Sequence, residues 1–202
     1  MPLSTTRLPG DVTDKRIERT FREHPSFERA DREESGEGDE SSGGTDATDR
    51  VEFGVGFTPF EGGVSVENDP GRDGDTDRRE YRVVVRVPTL DAVVEGETVA
   101  PVVQDGWFDT LDRRLADAHT VADAEVAAAP TVEREGESVV VTVAFERDDP
   151  ERAAEDAKAV VEYVEGTWVQ GLVPGYDYRE PAASFRERAT QNYDEGGSRG
   201  SR

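Results

Sequence analysis

The chain predicts an α+β fold: a two-layer domain with a mainly antiparallel sheet of about five strands against two or three helices, in the order α-β-β-β-α-β-β-α. Three observations carry this. EYRVVVRVP (80–88) and ESVVVTVAFE (137–146) alternate as strands do. Short apolar runs meet at glycine turns, at Glu61-Gly62-Gly63 and Gly136, which reads as antiparallel hairpins. DGWFDTLDRRLADAH (105–119) and ERAAEDAKAVVEYVEGTW (151–168) instead space their apolar residues as helices do.

In chain order, Asp11–His24 forms a short helix with Val12, Ile17 and Phe21 inward, stopped by Pro25. Residues 28–50 are acidic, Ser- and Gly-rich and almost without apolar side chains. Such a segment buries too little surface to offset its chain entropy, so it reads as a disordered linker. VEFGVGFT (51–58) places Val51, Phe53, Val55 and Phe57 on one face, and GGVSVEN (62–68) returns as its hairpin partner. The strand at 80–88 turns Tyr81, Val83, Val85 and Val87 one way and Arg82, Val84 and Arg86 the other. Residues 89–104 read as a long packed connection. The helix over 105–119 carries Phe108, Leu111, Leu115 and Ala118 on its inner stripe, with Trp107 beside it. Residues 124–135 pair with 137–146, which is apolar on both faces and therefore central. Asp148-Asp149 caps the last helix and Pro150 takes its first position. After Pro181 the chain turns polar, with at most a helical turn. The domain plan is a 1–27 segment with a short helix, a 28–50 linker, a 51–181 domain and a flexible 182–202 tail.

Composition bounds function. There are 46 acidic and 24 basic residues, and Lys15 and Lys158 are the only lysines. This is the balance expected of a cytoplasm filled with molar salt, where carboxylates hold water and cations at the surface. At ~1 M salt the Debye length is about 3 Å and self-repulsion is screened. The charge then reports the solvent rather than a basic partner. Without cysteine, disulfides, thiolate metal sites and a cysteine nucleophile are excluded. No apolar run approaches the ~20 residues of a membrane helix, and the N-terminus lacks the apolar core of a secretory signal. The expectation is a cytoplasmic protein with no cofactor, no metal, no nucleic-acid partner and no membrane contact.

RVPTLDAVVEGETVAPVVQDGWFDTLDRRL (86–115) and AKAVVEYVEGTWVQGLVPGYDY (157–178) resemble an uncharacterised family from halophilic archaea, a domain of unknown function. The resemblance runs from about residue 51 to 181 and takes in the N-terminal helix. It implies no activity, substrate or site residue, and it agrees with the salt reading. The order of elements is also similar to that of type III secretion chaperones, which bind protein segments, but no motif supports that link.

Catalytic motifs are missing. Gly54-Val55-Gly56 lacks the third glycine and the following helix of a dinucleotide loop. His24 and His119 each sit near a helix C-terminus, where an imidazolium meets the negative end of the dipole. Asp73, Asp75 and Asp77 alternate as in a calcium loop, but Val84 stands where the closing glutamate belongs. Arg82 and Arg86 make only a weak basic patch. What stands out is VEGTWVQGLVPGYDYREP (164–181), aromatic-rich in a chain poor in large apolar residues. Trp168 continues the apolar stripe of the last helix. Gly171 is expected to supply a left-handed C-terminal turn and Pro174 to stop the helix. Tyr176 and Tyr178 either fold back over the sheet edge or line a groove. Packing explains these residues; so does a contact surface made of Trp107, Trp168, Tyr176 and Tyr178, since such residue types dominate interface hot spots. The leading expectation is therefore a non-enzymatic binding or adaptor domain acting on a protein partner or on itself as a homo-oligomer. The alternative is a ligand sensor or enzyme with a pocket between sheet and helices, using carboxylates and His119.

Overall fold

A computed structural model of the chain describes residues 9–29, 50–67 and 78–188. Its elements are α1 (Pro9–Glu23), β1 (Phe27–Arg29), β2 (Arg50–Val55), β3 (Glu61–Glu67), β4 (Arg79–Pro88), α2 (Leu90–Val93), α3 (Pro101–Leu115), β5 (Val126–Ala127), β6 (Thr131–Glu135), β7 (Ser138–Arg147) and α4 (Pro150–Gln170). A short 3-10 turn spans Ala118–Val121, and 182–188 is helical. The sheet runs β1-β2-β3-β4-β7-β5, with β6 also paired to β7, and every pairing is antiparallel.

β4 and β7 form the centre because each is ten residues long and their register, Arg79 opposite Arg147 to Pro88 opposite Ser138, uses both strands completely. Directly opposite residues share a face. Tyr81, Val83, Val85 and Val87 therefore meet Phe145, Val143, Val141 and Val139, and all eight are at most 1% exposed. The other face carries Arg82, Val84 and Arg86, none of them buried. There Arg82 pairs with Glu80 at 3.2 Å and Arg86 with Glu135 at 2.7 Å. The two arginines that share a face are held in surface ion pairs.

The helices cover the inner face. α4 lies on β4 and β7, and its stripe of Ala153, Ala157, Val160, Val161 and Val164 is fully buried. Small residues near its start let the backbone approach the sheet, and Asp149 caps it by accepting from the Glu151 N–H. α1 packs on α4 and β1, and α3 packs on α4. On α3 the helical stripe is rotated slightly from the sequence expectation. Trp107 is the buried member beside Leu111 and Leu115, while Phe108 is half-buried at the rim under the Arg134 guanidinium.

Several details differ from the sequence reading. β2 stops at Val55, and Phe57 is 37% exposed rather than inward. The turn that follows is pinned to α4 by the Thr58 hydroxyl, which donates to Glu165 at 2.6 Å. Gly62 and Gly63 lie inside β3 instead of forming its turn. A Cβ on Gly62 would stand 3.2 Å from the Val84 carbonyl, so the close approach of neighbouring strands requires glycine. The expected strand over 124–135 is broken into β5 and β6, because Pro130 has no N–H to give the ladder. Gly136, at φ 60, makes the predicted hairpin turn. α3 begins at Pro101, four residues before the expected start. β1 was not legible in the sequence: Glu28, Arg29 and Arg50 of the expected linker are in strands, and its remainder, 30–49, lies outside the described residues. So do the Asp73–Asp77 loop and the tail beyond 188.

Candidate functional site

Two regions concentrate the side chains that could bind something. The first is the end of α4 and the loop after it. Trp168 extends the α4 stripe by one turn and is fully buried. Its indole N–H donates to the Pro88 carbonyl at 2.8 Å, which satisfies the only polar atom the side chain brings inside. The ring meets Phe60 edge-on at 5.0 Å and Phe185 at 6.2 Å. Phe185 itself is 8% exposed on the helical run after Pro181. The aromatic that completes the Trp168 environment thus comes from the stretch read as a polar tail.

Gly171 is not the left-handed turn. Its φ is −81, and its N–H continues the helix by donating to the Thr167 and Trp168 carbonyls. Glycine is needed there for space: a Cβ would lie 3.1 Å from the Trp168 carbonyl and 3.4 Å from Trp107 Nε1. The left-handed residue is Gly175, at φ 103. The chain then returns alongside α2. Val94 and Tyr178 form a β-bridge, Glu95 N–H donates to the Asp177 carbonyl at 2.9 Å, and Arg179 N–H donates to the Val93 carbonyl at 2.9 Å. The Tyr178 hydroxyl donates to the Val173 carbonyl at 2.7 Å, closing the loop on itself. Burial pushes the Tyr178 phenol above its usual range, against the opposing charge of Arg186, whose guanidinium lies 5.4 Å from the ring.

Of the four aromatic candidates, the structure brings Tyr176 and Tyr178 together, edge to face at 6.4 Å. Tyr178 is 8% exposed, Trp107 6% and Trp168 0%, so these three act in packing. Of the four, Tyr176 is the one not fully buried: it is half-buried against the core, as are Leu172 and Val173 in the same loop. Trp107 carries one anomaly: its Nε1 is buried without a hydrogen-bond partner.

The second region is an open cleft of about 760 Å³ between the end of α1 and the first turns of α4. No motif signals it, because its walls come from residues 20–25, 123 and 147–156. At its base Arg147 Nε donates to Asp156 at 2.6 Å, and Asp156 also accepts from the Asp123 N–H at 2.9 Å. The hydrogen bond to Asp156 raises the Arg147 pKa further and keeps the guanidinium charged. His24 forms the opposite wall. Its Nδ1 accepts from the Ser26 N–H at 3.3 Å, and its Nε2 lies 3.3 Å from Glu155 Oε1. This arrangement places the imidazole beside a carboxylate, in a cleft that Arg152 also lines. His119 lines no part of the cleft; its Nδ1 lies 3.1 Å from the Ala116 carbonyl, a helix-end contact. The interface between sheet and α4, where the alternative function needs a pocket, is filled by fully buried valines and alanines.

Among the described residues, no group of three or more His, Cys, Asp or Glu side chains is placed to hold a metal ion, and no helix is long and apolar enough to cross a membrane. Residues 40–188 match DUF5813, a family of unknown function; the matched span does not include α1 and β1, although the resemblance read from the sequence extended to the N-terminal helix. No curated protein and no solved structure matches the chain.

Proposed function

The chain belongs to this family of unknown function, DUF5813, and from that premise we propose that it is a non-enzymatic protein-binding or adaptor domain of a haloarchaeal, high-salt cytoplasm. Its contact surface is the loop after α4, with Tyr176 at the centre and Leu172 and Val173 beside it. Trp168, Tyr178 and Trp107 hold that surface from behind. One observation carries the reading. The loop is tied down by the Val94–Tyr178 bridge and the Tyr178–Val173 hydrogen bond, and Tyr176 within it is only half-buried. A pre-organised apolar patch loses little entropy on binding, and apolar contact stays effective where salt screens charge steering. The occupant is a protein partner or a second copy of the chain; nucleic acid, membrane and cofactor have no part in it.

The test is Tyr176→Ala in full-length chain, compared with the natural chain by affinity capture and light scattering in molar KCl. Loss of a specific partner or of self-association, at an unchanged melting temperature, is the expected result. A variant that keeps every interaction removes the assignment. The salt premise has its own check: dilution from ~2 M to ~0.1 M KCl lowers the unfolding midpoint through unscreened repulsion among 46 acidic residues. The second reading, a ligand sensor or enzyme, draws on the His24 cleft. Stabilisation by a small polar metabolite, lost in His24→Ala, is the result that favours it.

A further inference from the structure

We propose that residues 9–29, α1 with β1, are an exchangeable arm, and that the groove they fill along the β2 edge accepts the same arm from a second copy of this chain. The proposal is independent of the Tyr176 surface.

The arm and its groove form a self-contained pair. Ile17, Phe21 and Phe27 are 1%, 0% and 4% exposed. Phe21 stacks on Phe53 at 4.6 Å and faces Tyr81 at 6.0 Å, and Phe27 closes on Phe21 at 5.1 Å. β1 then supplies a strand to the edge of β2, Phe27–Arg29 opposite Val55–Phe53, and the Ser26 carbonyl accepts from the Gly56 N–H at 3.1 Å. An aromatic floor beside an open strand edge suits one kind of ligand: a helix ending in phenylalanine followed by a short strand. The arm of any copy has that form.

The connection does not commit the arm to its own body. Arg29 lies opposite Phe53, and Arg50 is three residues farther along β2, a gap of roughly 10 Å at ~3.3 Å per residue. The twenty residues 30–49 can span up to about 70 Å. They include no apolar side chain larger than alanine that would hold the arm to its own body. A tether much longer than the gap lowers the effective concentration of the arm at its own groove, roughly as the −3/2 power of length. The family match, beginning at residue 40, does not include the arm. Reciprocal exchange closes a two-fold dimer in which each copy gives Phe21 and Phe27 to the other's core, without a new interface. Such a dimer forms when the chain concentration approaches the effective concentration of the arm at its own groove.

The absence of cysteine makes a clean test possible. Glu28 and Gly54 are direct cross-strand partners, and a Cβ on Gly54 meets only the Glu28 carbonyl, at 3.8 Å. Their expected Cα separation of about 5.5 Å suits a disulfide. Full-length Glu28→Cys and Gly54→Cys chains are mixed near ~1 mM in molar KCl, unfolded, refolded together and oxidised. A disulfide between the two variants forms where the arm of one copy lies on β2 of the other. The expected result is a cross-linked species about tenfold more abundant in the mixture than in either variant alone. Deleting 30–49 joins Arg29 to Arg50 across a gap that one ~3.8 Å Cα step cannot close, so this variant is expected to be dimeric even at micromolar concentration. No excess cross-link in the mixture, or a monomeric deletion variant, overturns the proposal.

Discussion

Two aromatic clusters close the inner face of this sheet near opposite ends of β4. Phe21 meets Phe27, Phe53 and Tyr81 near its start, and Tyr81 stacks on Phe145; Phe185 meets Phe60 and Trp168, whose indole bonds Pro88 at its finish. Ring chemistry and burial are alike in both. The connections differ. Phe185 follows Trp168 after a short loop that is hydrogen-bonded to α2 and to itself. Phe21 reaches its cluster from the far side of residues 30–49. Similar aromatic packing need not be equally permanent, because the entropy of closing the loop differs.

Four measurements sharpen or break the comparison. The largest effect belongs to Trp168→Ala, which empties the core and leaves the Pro88 carbonyl without its donor. Denaturant unfolding in molar KCl is expected to show a loss of about 4–5 kcal/mol, spread over the whole domain. Phe21→Ala follows at about 3 kcal/mol, but hydrogen exchange is expected to accelerate first at Phe27–Arg29 and Phe53–Val55 while Val83 and Val141 stay protected. Uniform acceleration throughout the sheet in this variant abolishes the distinction between the two clusters.

The third measurement is alkaline titration. Burial raises Tyr81 above its ordinary 10.0, so the folded chain keeps the phenolic proton after the unfolded chain has lost it. Its contribution is therefore complete below about pH 10 and is lost above it, by up to ~1.4 kcal/mol per pH unit. Tyr81→Phe is expected to shallow that decline, and an unchanged slope would assign it elsewhere. The smallest effect is Tyr176→Ala, less than about 1 kcal/mol in stability because the residue is only half-buried, with binding lost instead. A large loss of stability there would return the loop after α4 to the packing cluster.

Much of this architecture is legible in local pattern. The alternation in 80–88 and 137–146 gives both central strands and the face each residue takes, since burial on one side of a sheet enforces a period of two. The stripe on α4 gives its buried face, and Trp168 falls on it. The misses have a common cause. β1 has three residues and its order comes from β2, so no pattern announces it. Phe185 stands among polar neighbours, and Trp168 and Phe60 supply its burial. The cleft at His24 assembles from three separated stretches. Trp107 and Phe108 were adjacent choices for one inward position, and only the direction from which α4 approaches separates them.

By itself, then, the sequence determined the α+β class, the central strands, the long helices, the acid-rich surface and the absence of thiol chemistry. Periodicity and composition are local quantities, and they report local demands. Tertiary structure alone decided that the arm completes the β2 edge and that Phe185 seals Trp168. It also decided that Tyr176, of four aromatic candidates, is only half-buried. Those outcomes depend on which distant segments reach one another, and an aromatic residue shows the same sequence signature whether it finds its partner inside the fold or must find it outside.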